Sequence, residues 1–230
     1  MKKAWISILY FITGILCIIL QDKASFWPGF IAKSLIIPML MILFIANTNS
    51  FGKRLNVLIF AGLFFSWAGD VTLEFTGSNP VFFILGLVSF LLAHVMYLTA
   101  FFSTRGKNYI PDKWYVMIPV IIYGVVLLAY LYPFLFEMRL PVVIYTAVII
   151  TMLTGAINRK KKVDSDSYYL VLAGAILFLV SDSALAVNKF RYQFEPAGII
   201  IMVTYIAAQY LIVTGLIFQL KPSEAHQINR

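Results

Sequence analysis

Cysteine is close to absent. Cys17 is the only one in 230 residues, which excludes an internal disulfide and any metal site built from clustered cysteines. Set in an apolar run, it reads as a small hydrophobe. Charge is scarce as well: 12% of residues are Asp, Glu, Lys or Arg, roughly half the share of a soluble domain, while 61% are hydrophobic. With two histidines, no H-E-x-x-H and no G-x-S-x-G, neither a zincin site nor the common serine-hydrolase elbow is present. No Gly/Ser/Pro-rich linker divides the chain, so residues 1–230 read as a single integral membrane domain. The net charge of +8 does not point to nucleic acid, because the cations lie in short clusters between apolar runs, without a stacking platform or recognition helix beside them.

What is abundant is membrane-length apolar sequence. Eight segments, near 4–20, 30–46, 55–74, 81–102, 114–132, 140–157, 168–187 and 198–219, are each long enough to span a bilayer core of about 30 Å. The expected fold is all-α: a polytopic bundle of eight transmembrane helices. The first segment imitates a signal peptide but has no A-x-A site, and Leu16 before Cys17 is too large for a lipoprotein-type site, so it is expected to be retained. On one side lie Lys2, Lys3, Lys53, Arg54, Arg105, Lys107, Lys113, Arg159, Lys160, Lys161, Lys162, Lys221 and Arg230; on the other lie Lys23, Arg139, Lys189 and Arg191. That imbalance of 13 to 4 predicts that both termini are cytoplasmic. The loop "NRKKKVDSDS" then reads as an orientation signal or surface anchor, with a lipid-headgroup site as the lesser reading.

Within the spans a short set of polar residues remains: Lys33, Asp70, Glu74, His94, Tyr97, Asp182, Tyr205 and Gln209. An ionisable group inside a membrane is expensive and marks function or a paired structural contact. Asp70 and Glu74 close the third span, Asp182 lies near the end of the seventh, and Lys33 near the start of the second. Trp67, Asp70 and Glu74 share a helical stripe, as do Phe90, His94, Tyr97 and Phe101, and Tyr205 with Gln209. These stripes are expected to meet in the outer half of the bundle, with Asp70 and Asp182 in one chamber. Each residue also has a structural reading. Either Asp can pair with Lys33 or His94, His94 and Gln209 can join helices, Glu74 can sit at the interface, Tyr97 and Tyr205 can pack, and Lys33 can snorkel. Lys189 and Arg191 are either solvated or placed for a phosphate.

A faint internal echo appears between "FFSWAGDVTLEF" and "LFLVSDSALAVNKF", each followed by a span with a tyrosine and another polar group. It suggests a 4+4 parallel repeat with the two aspartates beside a pseudo-twofold axis.

The segments "GDVTLEF" (69–75), "GLVSFLLAHVMYLTAFF" (86–102), "LVSDSALAVNKF" (179–190) and "MVTYIAAQYLI" (202–212) resemble, in order and spacing, the motifs of the lysoplasmalogenase, or YhhN-like, membrane proteins. "AKSLIIP" (32–38) resembles the family's lysine-containing motif in a weaker form. The resemblance covers essentially the whole chain. It implies a multi-pass hydrolase that takes a lysophospholipid from the membrane and cleaves its vinyl ether bond. The products are a fatty aldehyde and glycerophosphoethanolamine or glycerophosphocholine. The family's acidic motif residues match Asp70 and Asp182.

A vinyl ether hydrolyses by protonation of its β-carbon, capture of water by the oxocarbenium ion and collapse of a hemiacetal. A proton donor and a carboxylate suffice, as in glycoside hydrolysis. Burial favours a neutral carboxyl, and two close carboxylates resist joint ionisation. The expected division makes Asp182 the general acid and Asp70 the base, or the reverse, with His94 orienting water or relaying the proton. Lys33, Glu74, Tyr97, Lys189, Tyr205 and Gln209 would bind substrate. No cofactor is expected. A metal held by His94, Asp70 and Asp182 has suitable ligand types but only one embedded histidine, so no metal is expected either. A proton-coupled small-molecule or lipid transporter, or a lipid-binding protein, competes with the hydrolase as a use for such polar stripes.

Overall fold

The structure is a computed structural model that describes residues 4–21, 26–48, 54–104 and 106–220. Of the cations that set the expected topology, Lys2, Lys3, Lys23, Lys53, Arg105, Lys221 and Arg230 lie outside the described residues.

Among the described residues eight α-helices account for the fold: α1 (Ala4–Leu20), α2 (Phe26–Asn47), α3 (Arg54–Glu74), α4 (Val81–Phe102), α5 (Ile118–Leu131), α6 (Arg139–Asn158), α7 (Ser165–Ala186) and α8 (Ala197–Leu220). Among the described residues seven segments are long and apolar enough to cross a membrane, and α1 is a shorter apolar helix of 17 residues. Helices are the form such sequence must take in lipid, where every backbone N–H and C=O needs an internal partner. The fifth span departs most from its expected limits. It opens with a 3-10 turn at Trp114–Met117, and α5 begins only where Pro119 fits the first helical turn, its fixed φ and missing N–H costing nothing there. Pro38 sits inside α2 and cannot bond the carbonyl of Ser34; the Trp67 indole of α3 donates to that oxygen instead, at 3.1 Å.

Helix α8 is the most buried helix and α5 the most peripheral. Outward faces carry Trp5, Ile8, Ile121, Val125, Leu140 and Val203, all exposed as lipid-facing residues must be. Lipid is as apolar as leucine, so helices associate through close packing and interhelical hydrogen bonds. At Gly174 of α7 a Cβ would lie 2.8 Å from the Ala208 carbonyl oxygen and 2.9 Å from the Ile212 nitrogen, which lets the α7 and α8 backbones touch. At Gly69 a Cβ would strike the Phe90 ring at 2.6 Å.

Helix pairing follows the two halves. The most extensive contacts are α7 with α8 and α3 with α4; α4 packs on α6 as α8 packs on α2, and α6 meets α7 as α2 meets α3. Tyr97 and Gln209, 112 residues apart, are hydrogen-bonded to each other. The same spacing separates Asp70 from Asp182, Gly62 from Gly174, Gly86 from Gly198, and Lys33 from Tyr145. Several helix contacts of one half thus have a counterpart in the other, and the interval of 112 residues joins the bonded pair Tyr97 and Gln209.

The bundle has two unlike ends. The near end holds the start of α1 and the end of α8. There Arg159 is wholly buried, donating to the Ser167 carbonyl (3.3 Å), the Ser167 hydroxyl (2.8 Å) and Gln219 Oε1 (2.8 Å), with its guanidinium 5.6 Å from the Phe101 ring. One residue of the expected surface loop is thus an internal tie between α4, α6, α7 and α8. At the far end α7 runs on through a π-helical turn, Val187–Arg191, a form of backbone found often at functional sites.

Candidate active site

Asp182 faces α4 and α6. Its Oδ2 accepts a hydrogen bond from the Tyr145 hydroxyl at 2.6 Å and lies 3.4 Å from His94 Nε2. His94 Nδ1 is 2.6 Å from the Phe90 carbonyl oxygen, and because a carbonyl can only accept, Nδ1 carries a proton. In a neutral ring Nε2 is then an acceptor pointing at a carboxyl oxygen. His94 Nε2 makes no hydrogen bond among the described residues, and the Asp182 carboxyl oxygen stands 3.4 Å from it. The ring is clamped edge-on by Phe178 at 4.6 Å and Tyr145 at 5.3 Å between centroids.

Asp182 opens into a cleft between α3, α4, α5, α6 and α7, lined mainly by apolar side chains such as Leu73, Phe83, Phe90, Leu127 and Leu179. Its volume of about 60 Å³ holds a few water molecules at roughly 10–15 Å³ each on the same measure. Among the described residues Asp182 is the one carboxylate on this wall, and its side chain is 14% exposed. Beside it Tyr123 of α5 donates to the Ser183 hydroxyl at 2.8 Å, joining α5 to α7 across the cleft. At the far rim Phe190 lines the cleft and the Lys189 ammonium stands 4.6 Å over the Phe83 ring.

Asp70 belongs to a different group. It is 2% exposed and its Oδ2 accepts from the Tyr205 hydroxyl at 2.7 Å. Gln209 Nε2 donates to Ser66 Oγ at 2.9 Å and lies 3.4 Å from the Tyr205 hydroxyl, while Tyr97 donates to Gln209 Oε1 at 2.8 Å. The network joins α3, α4 and α8 and satisfies each member, as a polar group in a dry bundle requires. Lys33 and Glu74 pair with each other at 2.6 Å.

The expected common chamber does not form. The contacts that lead from one aspartate to the other run through the rings of Tyr205, Phe178 and Phe90, 5.6 to 6.5 Å apart in edge-to-face array, and Asp70 is not on the cleft wall. The reason is a shared stripe. Phe90 is one turn from His94 and Phe178 one turn from Asp182, so each polar residue brings an aromatic ring to the axis with it. Of the expected residues, Asp182 lines the cleft, His94 lies against it off the cleft wall, and Lys189 stands over Phe83 at the rim. Asp70, Tyr97, Tyr205 and Gln209 meet behind the rings, and Lys33 and Glu74 form a pair at the far end. Tyr145 and Ser66 were not among the expected residues. Tyr145 had one signal, its place 112 residues after Lys33, the spacing at which the two halves repeat. Among the described residues no group of three or more His, Cys, Asp or Glu side chains could hold a metal ion.

Comparison with known proteins gives three findings. The model of the YhhN family matches residues 29–216, more than half the chain. Lysoplasmalogenase TMEM86A of Bos taurus is 29% identical over 217 residues, covering 92% of this chain and 87% of that protein. Lysoplasmalogenase TMEM86B of Sus scrofa is 28% identical over 209 residues, covering 90% and 84%, and human lysoplasmalogenase TMEM86A is 27% identical over 217 residues, covering 92% and 87%. No solved structure matches.

Proposed function

The chain belongs to the YhhN family, and from that membership we propose that it hydrolyses the vinyl ether bond of a lysoplasmalogen drawn from the membrane. The observation that carries the proposal is the single carboxyl group on an apolar cleft, with a phenol and an imidazole converging on one of its oxygens.

Asp182 donates its proton to the β-carbon of the vinyl ether, breaking the C=C π bond and leaving an oxocarbenium ion. The resulting carboxylate stabilises that cation in a medium of low dielectric, where a nearby charge counts for more than in water. It then takes a proton from the water that adds to the cationic carbon, which regenerates the acid and gives a hemiacetal. In the collapse the hemiacetal hydroxyl loses its proton as the C–O bond to glycerol breaks, and the glycerol oxygen gains one. Tyr145 and His94, both at Asp182, carry these protons. One carboxyl acts first as acid and then as base, the economy of the acid/base residue in retaining glycosidases. Asp70 has no contact with the cleft; it holds Tyr205, whose ring buttresses Phe178 and through it His94. In this reading Asp70 is a positioning residue, and the base role expected of it passes to Asp182.

The near end of the bundle supports a hydrolase over a transporter. There the Arg159 cluster ties four helices together, whereas the polar groups of the cleft gather in the far half. The test is lipid mass spectrometry after incubation of purified protein with matched vinyl-ether, alkyl-ether and acyl lysolipids. Cleavage of the vinyl ether alone is the expected result; preferential release of fatty acid from the acyl lipid would make the protein an ordinary lysophospholipase.

A further inference from the structure

The cleft is too short for the hydrocarbon chain of a lysolipid. Its floor, at Leu179 and Ile149, lies one helical turn of about 5.4 Å below the level of Asp182 and Tyr145. A space of about 60 Å³ holds a few water molecules and no long alkyl chain. The chain therefore needs an outlet. Toward α6 the floor is shut, since a Cβ at Gly124 of α5 would lie 3.0 Å from the Ile150 side chain. Toward α7 the wall is thinner.

Helix α7 carries an outer stripe of Tyr169, Ala173, Ile176 and Val180, at helical spacing and exposed throughout. The next position on that stripe, Ser183, is buried. Tyr123 of α5 covers it, donating to Ser183 Oγ at 2.8 Å, and Ser183 donates in turn to the Leu179 carbonyl at 2.6 Å. Tyr123 and Ser183 both line the cleft, and Ser183 adjoins Asp182 in sequence. The Tyr123 side chain is also exposed on its outer side, where Ile122 and Val126 face lipid. Cleft and bilayer are thus divided here by the width of one ring and its hydrogen bond. Helix α5 is anchored elsewhere. At its far end Leu131 packs in a cluster with Ala186 and Val187, and Arg191 stands 4.0 Å over the Phe134 ring. Its near half presents Ile118, Ile121 and Ile122, all exposed.

We propose that Tyr123 is the latch of a lateral portal between α5 and α7. When its ring swings off Ser183, the hydrocarbon chain lies in the opened seam, with its ether end at Asp182 and its tail in the bilayer. The proposal rests on the lysolipid reading above for the identity of the ligand. It adds the route of entry, and it makes selection indifferent to chain length beyond the first few carbons, because the remainder stays in lipid.

The test measures binding without chemistry. Full-length protein in lipid nanodiscs is given an uncleavable 1-O-alkyl lysolipid with a photoreactive diazirine a few carbons from the ether oxygen. Label that excess unlabelled lipid competes away is expected on Val126, Ile176 or Val180. Competed label confined to Ile149 and Ile150, or to Phe83 and Phe190 at the far rim, overturns the proposal. Rates supply the second measurement. Tyr123→Phe keeps the ring and loses the latch bond. It should raise association and dissociation rates together by roughly two- to tenfold, the range of one net hydrogen bond, with the dissociation constant little changed. Val180→Trp puts a bulky side chain on the lipid-facing lip and should lower both rates. A lower melting temperature of Tyr123→Phe with unchanged rates makes the bond a packing contact alone. Faster dissociation alone makes the hydroxyl a ligand contact. Either result overturns the portal. Binding that behaves as expected, while a vinyl-ether lipid yields no aldehyde, would strike the hydrolase reading and leave the portal standing.

Discussion

At the scale of single residues, chemistry and scaffolding separate on which carboxylate reaches the cleft. Asp182→Asn removes the proton donor while keeping the shape, and should lower aldehyde release at least about 100-fold, the lower range of general acid–base effects. Asp70→Asn keeps an oxygen that can accept from Tyr205, and should retain most of the rate in a folded protein. Equal losses in both variants, with unchanged melting temperatures, would restore Asp70 to the chemistry. Tyr145→Phe loses the 2.6 Å bond to Asp182 but keeps the ring against His94. It should lower kcat more than it raises KM, a split that simple loss of packing would not give. The polar residues of the site were legible because an ionisable group in a membrane span is conspicuous. Their grouping was not, because Phe90, Phe178 and Leu179 look like any other apolar residues until the side chains are packed.

At the scale of helices, hydropathy predicted eight spans, and among the described residues seven segments are long and apolar enough to cross a membrane while α1 is a shorter apolar helix, with boundaries close to those expected, since length in lipid leaves few alternatives. The 3-10 start before α5 and the π-helical end of α7 were hidden, being local compromises with Pro119 and with the far-end loop. Two element-level outcomes follow from the packing. Gly174→Leu drives a side chain into the α8 backbone and should cost about 2–4 kcal/mol or misassemble the bundle, visible as loss of monodispersity or of thermal stability in detergent. Arg159→Met leaves Gln219 and Ser167 without their donor, and should lower the melting temperature while leaving the KM for substrate unaltered in the surviving folded fraction.

For the molecule as a whole, the excess of Lys and Arg at one end predicts a cytoplasmic near end. A cysteine introduced at Gln193 should react with a membrane-impermeant maleimide added to intact cells, and one at Lys161 should react only after permeabilisation; the reverse pattern would invert the topology. The 4+4 relation was only faintly readable in the sequence, because apolar helices resemble one another. In the structure Tyr97 and Gln209, 112 residues apart, are bonded to each other. The halves then diverge in a specific way. Where the second half has Leu179 and Ala186 on its cleft wall, the first half has Trp67, its indole bonded to Ser34, and Glu74, locked to Lys33. At the matched positions the first half therefore carries bonded polar side chains where the second carries small or apolar ones. Inherited variation should therefore fall into two kinds at matched positions: changes in residues 179–190 redirect which lipids are consumed, whereas changes in residues 67–78 alter how much protein reaches the membrane intact.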